Sequence, residues 1–196
     1  MKIDLTKGMS LDLSKVDGLT NISVGANWGM ITKTAGFLGF GAEKESVDLD
    51  LSATTYNANN QPIATCYFGK KDIPGISLDG DDLSGDAEDD DSDNETITVD
   101  LSKVAADVKT IVFCLVSFKG QPFGKLPYAR LSLYDQDKRC LAGTNINITE
   151  NEECKNKVSM VFAKLEKIDG VWSYKAICEP TNISSISSLA PEAIKF

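Results

Sequence analysis

Residues 110–118 read TIVFCLVSF. A run this continuously apolar and this short suits a strand covered on both faces, so the chain must place it centrally in a sheet. Around it, period-two patterns dominate. In SVDLDLSATTY (46–56), Val47, Leu49, Leu51 and Ala53 fall on one face, and Asp48, Asp50 and Ser52 on the other. Further strand-like runs are ISVGANW (22–28), QPIATCYF (61–68), ETITVDL (95–101), YARLSLYD (128–135) and VWSYKAIC (171–178). KVSMVFAKLEKI (157–168) is ambiguous, because Val158, Val161, Phe162, Leu165 and Ile168 fit a helical face. Asp169-Gly170 follows it directly, however, and an Asp-Gly pair between two such runs signals a hairpin. We therefore read 157–168 as a strand. Many short strands with little helix predict an all-β, antiparallel β-sandwich.

Other segments carry weaker signals. VAADV (104–108) suits one helical turn between strands. Residues 29–45 are Gly-rich and carry Phe37, Leu38 and Phe40, expected to pack back on the sandwich. The domain is expected over residues 1–180. The Ser-rich stretch from 181 to 196 reads as a partly ordered tail. LDLSKV (11–16) recurs as VDLSKV (99–104), two copies being too few for a repeat architecture and suggesting matching strand ends in two halves of the fold.

Charge is concentrated in one place. Residues 79–95 read DGDDLSGDAEDDDSDNE, and ten of these seventeen residues are Asp or Glu. The chain has 29 acids and 20 bases; without those ten, 19 acids face 20 bases. The net charge of −9 is thus a property of one segment rather than of the whole protein. Such localisation indicates a local electrostatic role. Without a Lys/Arg cluster, direct nucleic-acid binding is not expected. There is no histidine, which removes Ser-His-Asp and Cys-His catalysis and His-ligated zinc. The five cysteines (66, 114, 140, 154 and 178) are odd in number, widely spaced and free of C-x-x-C, so they read as reduced thiols, several of them buried in strands. The N-terminus, MKIDLTKGMSLDLSK, has acids where a signal peptide needs an apolar core, and no segment approaches the ~20 apolar residues of a membrane span. A cytoplasmic location is the expectation.

Two readings of the acidic stretch stay open on physical grounds: a solvated charge run, or a cation site. Neighbouring carboxylates at ~4 Å repel by about 1 kcal/mol in water and by several times that near a protein surface. A folded loop must offset this repulsion. With no His and no local Cys, the donors are hard oxygens, which favours calcium or magnesium over zinc, copper or iron. Calcium, with its many oxygen ligands and flexible geometry, suits a carboxylate-rich loop better. An EF-hand does not fit: counting from Asp89, the sixth position is Asn94 rather than Gly, the twelfth is Asp100, and the flanks are strand-like. Asp48 and Asp50 lie two residues apart on one strand face, where a long loop's carboxylates can meet them; their alternative is a solvated outer face.

The residues resemble the TerD family of tellurium-resistance and stress proteins across roughly the whole chain. Leu5, Lys7 and Gly8, then Leu11 to Lys15, resemble the family's opening pattern, and Val24, Gly25 and Trp28 its V-G-x-x-W segment. VDLDLSA (47–53) resembles its F-D-L-D-A-S-A strand, GDDLSG (80–85) its G-D-N-x-T-G loop, and DSDNE (91–95) its D-G-D-D-E motif. VDLSKV (99–104), Phe123-Gly124, the strand through Arg130, and Met160-Val161-Phe162 to Trp172 follow in family order. The loop is about three residues longer than the family's, extended over Ala87 to Asp90, and Asp82, Ser84 and Asn94 replace the usual Asn, Thr and Asp. The resemblance implies a C2-like calcium-binding sandwich with a long acidic loop. One or two ions would be held by Asp48, Asp50, Asp81, Asp82, Ser84, Gly85, Asp91, Asp93 and Glu95. It also implies a role beside other proteins of a stress-response system for toxic oxyanions. It does not imply an enzyme.

The leading expectation is therefore a calcium-dependent binding or scaffold module. The alternative is a calcium-dependent, membrane-docking C2-like module, which requires Phe37, Leu38 and Phe40 at the ion-binding end. A metal-dependent hydrolase is a third reading, with no acid–base pair visible beyond the carboxylates themselves. A purely structural protein with a disordered acidic loop is the fourth.

Overall fold

The computed structural model describes residues 3–4, 7–33, 43–144, 148–149 and 151–196. In chain order the strands begin with β1 (Ile3–Asp4), β2 (Ser10–Asp12), β3 (Asn21–Trp28), β4 (Ile31–Lys33) and β5 (Glu43–Glu45). The middle of the chain supplies β6 (Leu49–Tyr56), β7 (Pro62–Cys66), β8 (Asp72–Ile73), β9 (Ile76–Asp79) and β10 (Glu95–Asp100). The last are β11 (Thr110–Ser117), β12 (Ala129–Asp135), β13 (Cys140–Thr144), β14 (Ser159–Ile168) and β15 (Val171–Thr181), and a short helix, α1 (Ile186–Leu189), follows. One sheet runs β1-β13-β12-β3-β10-β9-β8 and the other β2-β15-β14-β11-β6-β7, while β4 and β5 form a separate pair. All pairings are antiparallel except β1 with β13. Ile22, Val24, Ile97 and Val99 from the first sheet meet Leu51, Phe113, Leu115 and Phe162 from the second in one buried core. The fold is thus an antiparallel sandwich, as the alternation predicts. No helix among the described residues is long and apolar enough to cross a membrane.

The apolar run at 110–118 becomes β11, paired with β6 and β14 and buried along its whole length. Ile111, Phe113 and Leu115 face the other sheet. Val112, Cys114 and Val116 face the opposite way, into a second cluster with Tyr56, Val161, Ile177, Leu189 and Ala193. The chain's last residues cover that outer face, with the Tyr56 hydroxyl donating to the Ala190 carbonyl. The segment after 181 is therefore part of the packing. Leu189→Ala is expected to destabilise the protein by about 2–4 kcal/mol, the cost of an unfilled cavity, read from urea unfolding.

Segment 157–168 is a strand, and its helix-like spacing has a local cause. β11 pairs with Ala163 and then with Val161, skipping Phe162. This bulge shifts the parity of β14, so Met160 and Phe162 face the inner core and so do Ala163 and Leu165. Asp169 and Gly170 turn into β15 with φ of +50° and +86°, as a tight hairpin between twisted strands requires. In place of the helical turn expected at 104–108 there is a simple turn, in which Val108 N–H donates to the Ala105 carbonyl and Val108 is buried. The echoed motif marks strand ends in opposite sheets. Asp12 and Asp100 each accept from the N–H and the hydroxyl of the serine two residues on, Ser14 and Ser102. Cys66, Cys114, Cys154 and Cys178 are buried free thiols. Phe37, Leu38 and Phe40 lie outside the described residues.

Candidate metal centre

The acidic loop bridges the two sheets. Its first half is tied to the segment leading into β6 by Val47 N–H donating to the Ser84 carbonyl at 2.8 Å. Its middle is tied to β3: Asp86 N–H donates to the Trp28 carbonyl, and Asn94 N–H to the Ala26 carbonyl. The Trp28 indole N–H donates to the Val47 carbonyl at 2.9 Å, closing the bridge. Gly85 has φ of +73°, and a Cβ there would sit 2.7 Å from Trp28 Cδ1, so only glycine lets the loop pass over the indole.

Asp82, Ser84 and Gly85 form the loop's internal cap. Asp82 Oδ1 accepts from Ser84 N–H, the Ser84 hydroxyl and Gly85 N–H. Its Oδ2 accepts from Asn94 Nδ2 at 2.8 Å. Burial pushes this carboxyl's pKa up, but those donors outweigh it and hold the pKa below the usual carboxylate range. Asn94 is the residue the sequence reading underrates. Its Nδ2 also donates to Asp86 Oδ1 at 2.8 Å, and its Oδ1 accepts from Trp28 N–H at 2.7 Å. An aspartate at this position would set a third carboxylate between Asp82 and Asp86 with no donor to join them. The departure from the family's usual Asp was the visible signal.

Three of the expected ligands converge. Asp50, Asp81 and Glu95 each offer a carboxylate oxygen, all within 4.8 Å of one another. Glu95 opens β10 on the inner face of its sheet and reaches across to β6. There β7 pairs only as far as Ala53, so the Leu51 amide has no β7 carbonyl to donate to. Glu95 Oε2 accepts from it at 2.8 Å. Glu95 Oε1 is buried and makes no hydrogen bond, although the Asp82 amide is near enough to favour the charged form. Burial raises the Glu95 pKa to about 8, with repulsion from Asp50 and Asp81 adding to the rise. Burial likewise raises Asp50 to about 7, with repulsion from Asp48 and Asp81 behind it. Asp48 is 5 % exposed and is also pushed up by burial, with Lys119 opposing and Asp81 and Asp82 reinforcing. Asp48 and Asp50 are therefore buried rather than on a solvated outer face.

Asp91 and Asp93 lie elsewhere. The Asp93 carboxylate folds over β3, where a Cβ on Gly25 would come within 2.0 Å of it; burial pushes its pKa up, with the nearby Tyr134 hydroxyl and Lys138 opposing. Arg130 Nη1 donates to Asp89 Oδ1 at 2.8 Å and to Asp91 Oδ1 at 3.4 Å, with its guanidinium 4.5 Å from the Tyr128 ring centroid. Asp91 and Asp93 border a polar cavity with Asp79 and Lys138. The loop is thus divided: its two ends, Asp81 and Glu95, join Asp50, and its extended middle is held by Arg130.

The donor set is all oxygen, one carboxylate oxygen is buried without a partner, and two buried carboxyls resist ionisation. A hard divalent cation satisfies all three conditions, and Asp50, Asp81 and Glu95 are the residues that would hold it.

Comparison with known proteins bears on the family and the fold. The TerD domain family matches residues 1–191. The tellurium resistance protein TerZ of Serratia marcescens is 28% identical over 178 residues, covering 89% of this chain and 88% of that protein. The stress response protein SCP2 of Bacillus subtilis (strain 168) is 27% identical over 200 residues, covering 96% and 98%. A crystal structure of a homologue of telluride resistance protein from Streptomyces coelicolor A3(2) superposes with a TM-score of 0.71 over 90% of this chain and 98% of that one. At 16% identity, that likeness establishes the fold.

Proposed function

The chain belongs to the TerD family, and on that premise we propose that it is a calcium-binding module that acts by association rather than by catalysis. The observation that carries this reading is the buried, unpartnered Glu95 Oε1 beside Asp50 and Asp81. A divalent ion there would neutralise charges that otherwise repel, and would draw Asp81 of the loop onto β6 and β10. The loop would then present a fixed surface to other proteins of a stress-response system in the cytoplasm. The relatives' names, tellurium resistance and stress response, support that setting. The acidic loop itself repels an oxyanion such as tellurite unless a bound cation reverses the local sign.

Calorimetric titration of calcium into chelator-treated protein tests the reading. Binding is expected for the native chain and for Asp93→Asn at the Asp50–Asp81–Glu95 site, and is lost in Asp81→Asn. Binding that survives Asp81→Asn unchanged rejects this set of ligands. Asp81 is exposed and stands outside the loop's cap, which is built on Asp82, so its loss reads on the ion rather than on folding.

A further inference from the structure

A cavity of about 450 Å³ opens on the outer face of the second sheet. Its floor is Asp50 and Val116, directly paired across β6 and β11. One wall is aromatic: Tyr67 meets Phe68 edge-on at 5.1 Å between centroids, and Phe68 meets Phe118 edge-on at 5.8 Å. The facing wall is the chain's end, through Ser185, Ile186 and Ala190. The volume lies in the range of small-molecule sites. Phe118 remains 59% exposed at the rim.

The chemistry of this cavity is specific. Asp50 is 3% exposed, lines the cavity, and accepts no hydrogen bond from any described residue. No Lys or Arg lines the cavity with it. Asp48 and Asp81 lie close enough to add negative potential. A buried carboxylate in this setting calls for a cation that also donates hydrogen bonds, and aromatic rings lining the same cavity suit the apolar body and the charge of such a ligand. An anionic ligand is disfavoured even with calcium present, since Asp48, Asp50, Asp81 and Glu95 are all acidic and one calcium ion balances only two of them.

We propose that this cavity binds a small amphiphilic amine, with its ammonium group at Asp50 and its apolar body between Phe68, Phe118 and Ile186. The site goes beyond calcium binding and does not depend on it, because Asp50 lines the cavity by itself, apart from Asp81 and Glu95. The two ligands are nevertheless coupled. Both draw on the charge of Asp50, so each weakens the other by the same factor.

The test uses the full chain and three probes of one shape: phenethylammonium, 2-phenylethanol and 3-phenylpropionate. Binding is followed by amide chemical shifts of residues 65–68, 116–118 and 184–190. In chelator, the amine is expected to bind at least about ten-fold tighter than the alcohol, and the carboxylate weakest. Asp50→Asn removes that preference, and calcium weakens the amine. Phe118→Ala weakens amine binding about five-fold while leaving the calcium isotherm unchanged; should that variant lose its native shifts, Phe118→Leu serves in its place with the same expectation. Equal binding of the three probes, or no saturable amine binding by about 10 mM, overturns the proposal. Amine binding without any calcium response would remove the calcium reading alone. Calcium binding without amine binding would remove this one alone.

Discussion

Calcium at a hundred-fold excess over its dissociation constant is expected to raise the melting temperature by about 5–10 °C, and Glu95→Gln is expected to abolish the rise. The first figure follows from linkage: a ligand of the folded state alone, at that excess, adds about 2.7 kcal/mol, and a domain of this size shifts by about 2–4 °C per kcal/mol. The second follows from the position of Glu95. Its Oε2 holds the Leu51 amide while its Oε1 has no partner. Glutamine keeps an oxygen for Leu51 and the shape of the side chain, but removes the charge that repels Asp50 and Asp81. The calcium-free variant should therefore melt at or above the native protein, and calcium should no longer move it. A variant that simply damaged packing would melt lower in both conditions. Differential scanning calorimetry with chelator and with millimolar calcium separates these cases. An unchanged melting temperature in the native chain, or a calcium shift retained by Glu95→Gln, would sink the assignment.

Much of this architecture was legible in the sequence, for definable reasons. The alternation of Leu49, Leu51 and Ala53 with Asp50 and Ser52 placed β6 correctly, since a strand with an apolar face and a polar face leaves a period of two even where both are buried. The unbroken run of β11 announced cover on both faces. It did not say that residues 186–193 supply the outer cover, because that contact is made across more than seventy residues and leaves no local period. The bulge at Phe162 imitated a helix, since one extra residue turns a period of two into the spacing of a helical face. In the site, the count of acids and the lack of His pointed to oxygen donors. The division of labour among those acids was not legible. Asp82 and Asp81 are adjacent and chemically identical, yet one is consumed by Ser84, Gly85 and Asn94 while the other is available to Asp50 and Glu95. Only backbone geometry, set by glycine at 80 and 85 with positive φ, distinguishes them.

The calcium-free protein is also expected to lose stability as pH rises from about 5 to about 8, the reverse of a fold held by paired carboxylates. Burial raises Asp50 to about 7 and Glu95 to about 8 in the folded chain, while both return to ordinary carboxylate values on unfolding. Between the two sets of values the folded state holds protons that the unfolded state has released. Stability from these groups is thus complete below about pH 4 and is lost as pH climbs through the folded values, by an amount on the order of a few kcal/mol. Asp82 opposes this trend only at acid pH, since its donors hold its pKa below the usual carboxylate range and its contribution is lost as pH falls. Calcium removes the slope by keeping the buried carboxylates ionised. Its binding must then release protons, about two per ion near pH 6 and almost none near pH 9, and its affinity must strengthen over the same interval. Calcium titrations in buffers of different ionisation enthalpy count those protons directly. A count near zero at pH 6 would mean that the ion sits elsewhere, such as on Asp91 and its exposed neighbours, and not on Asp50 and Glu95.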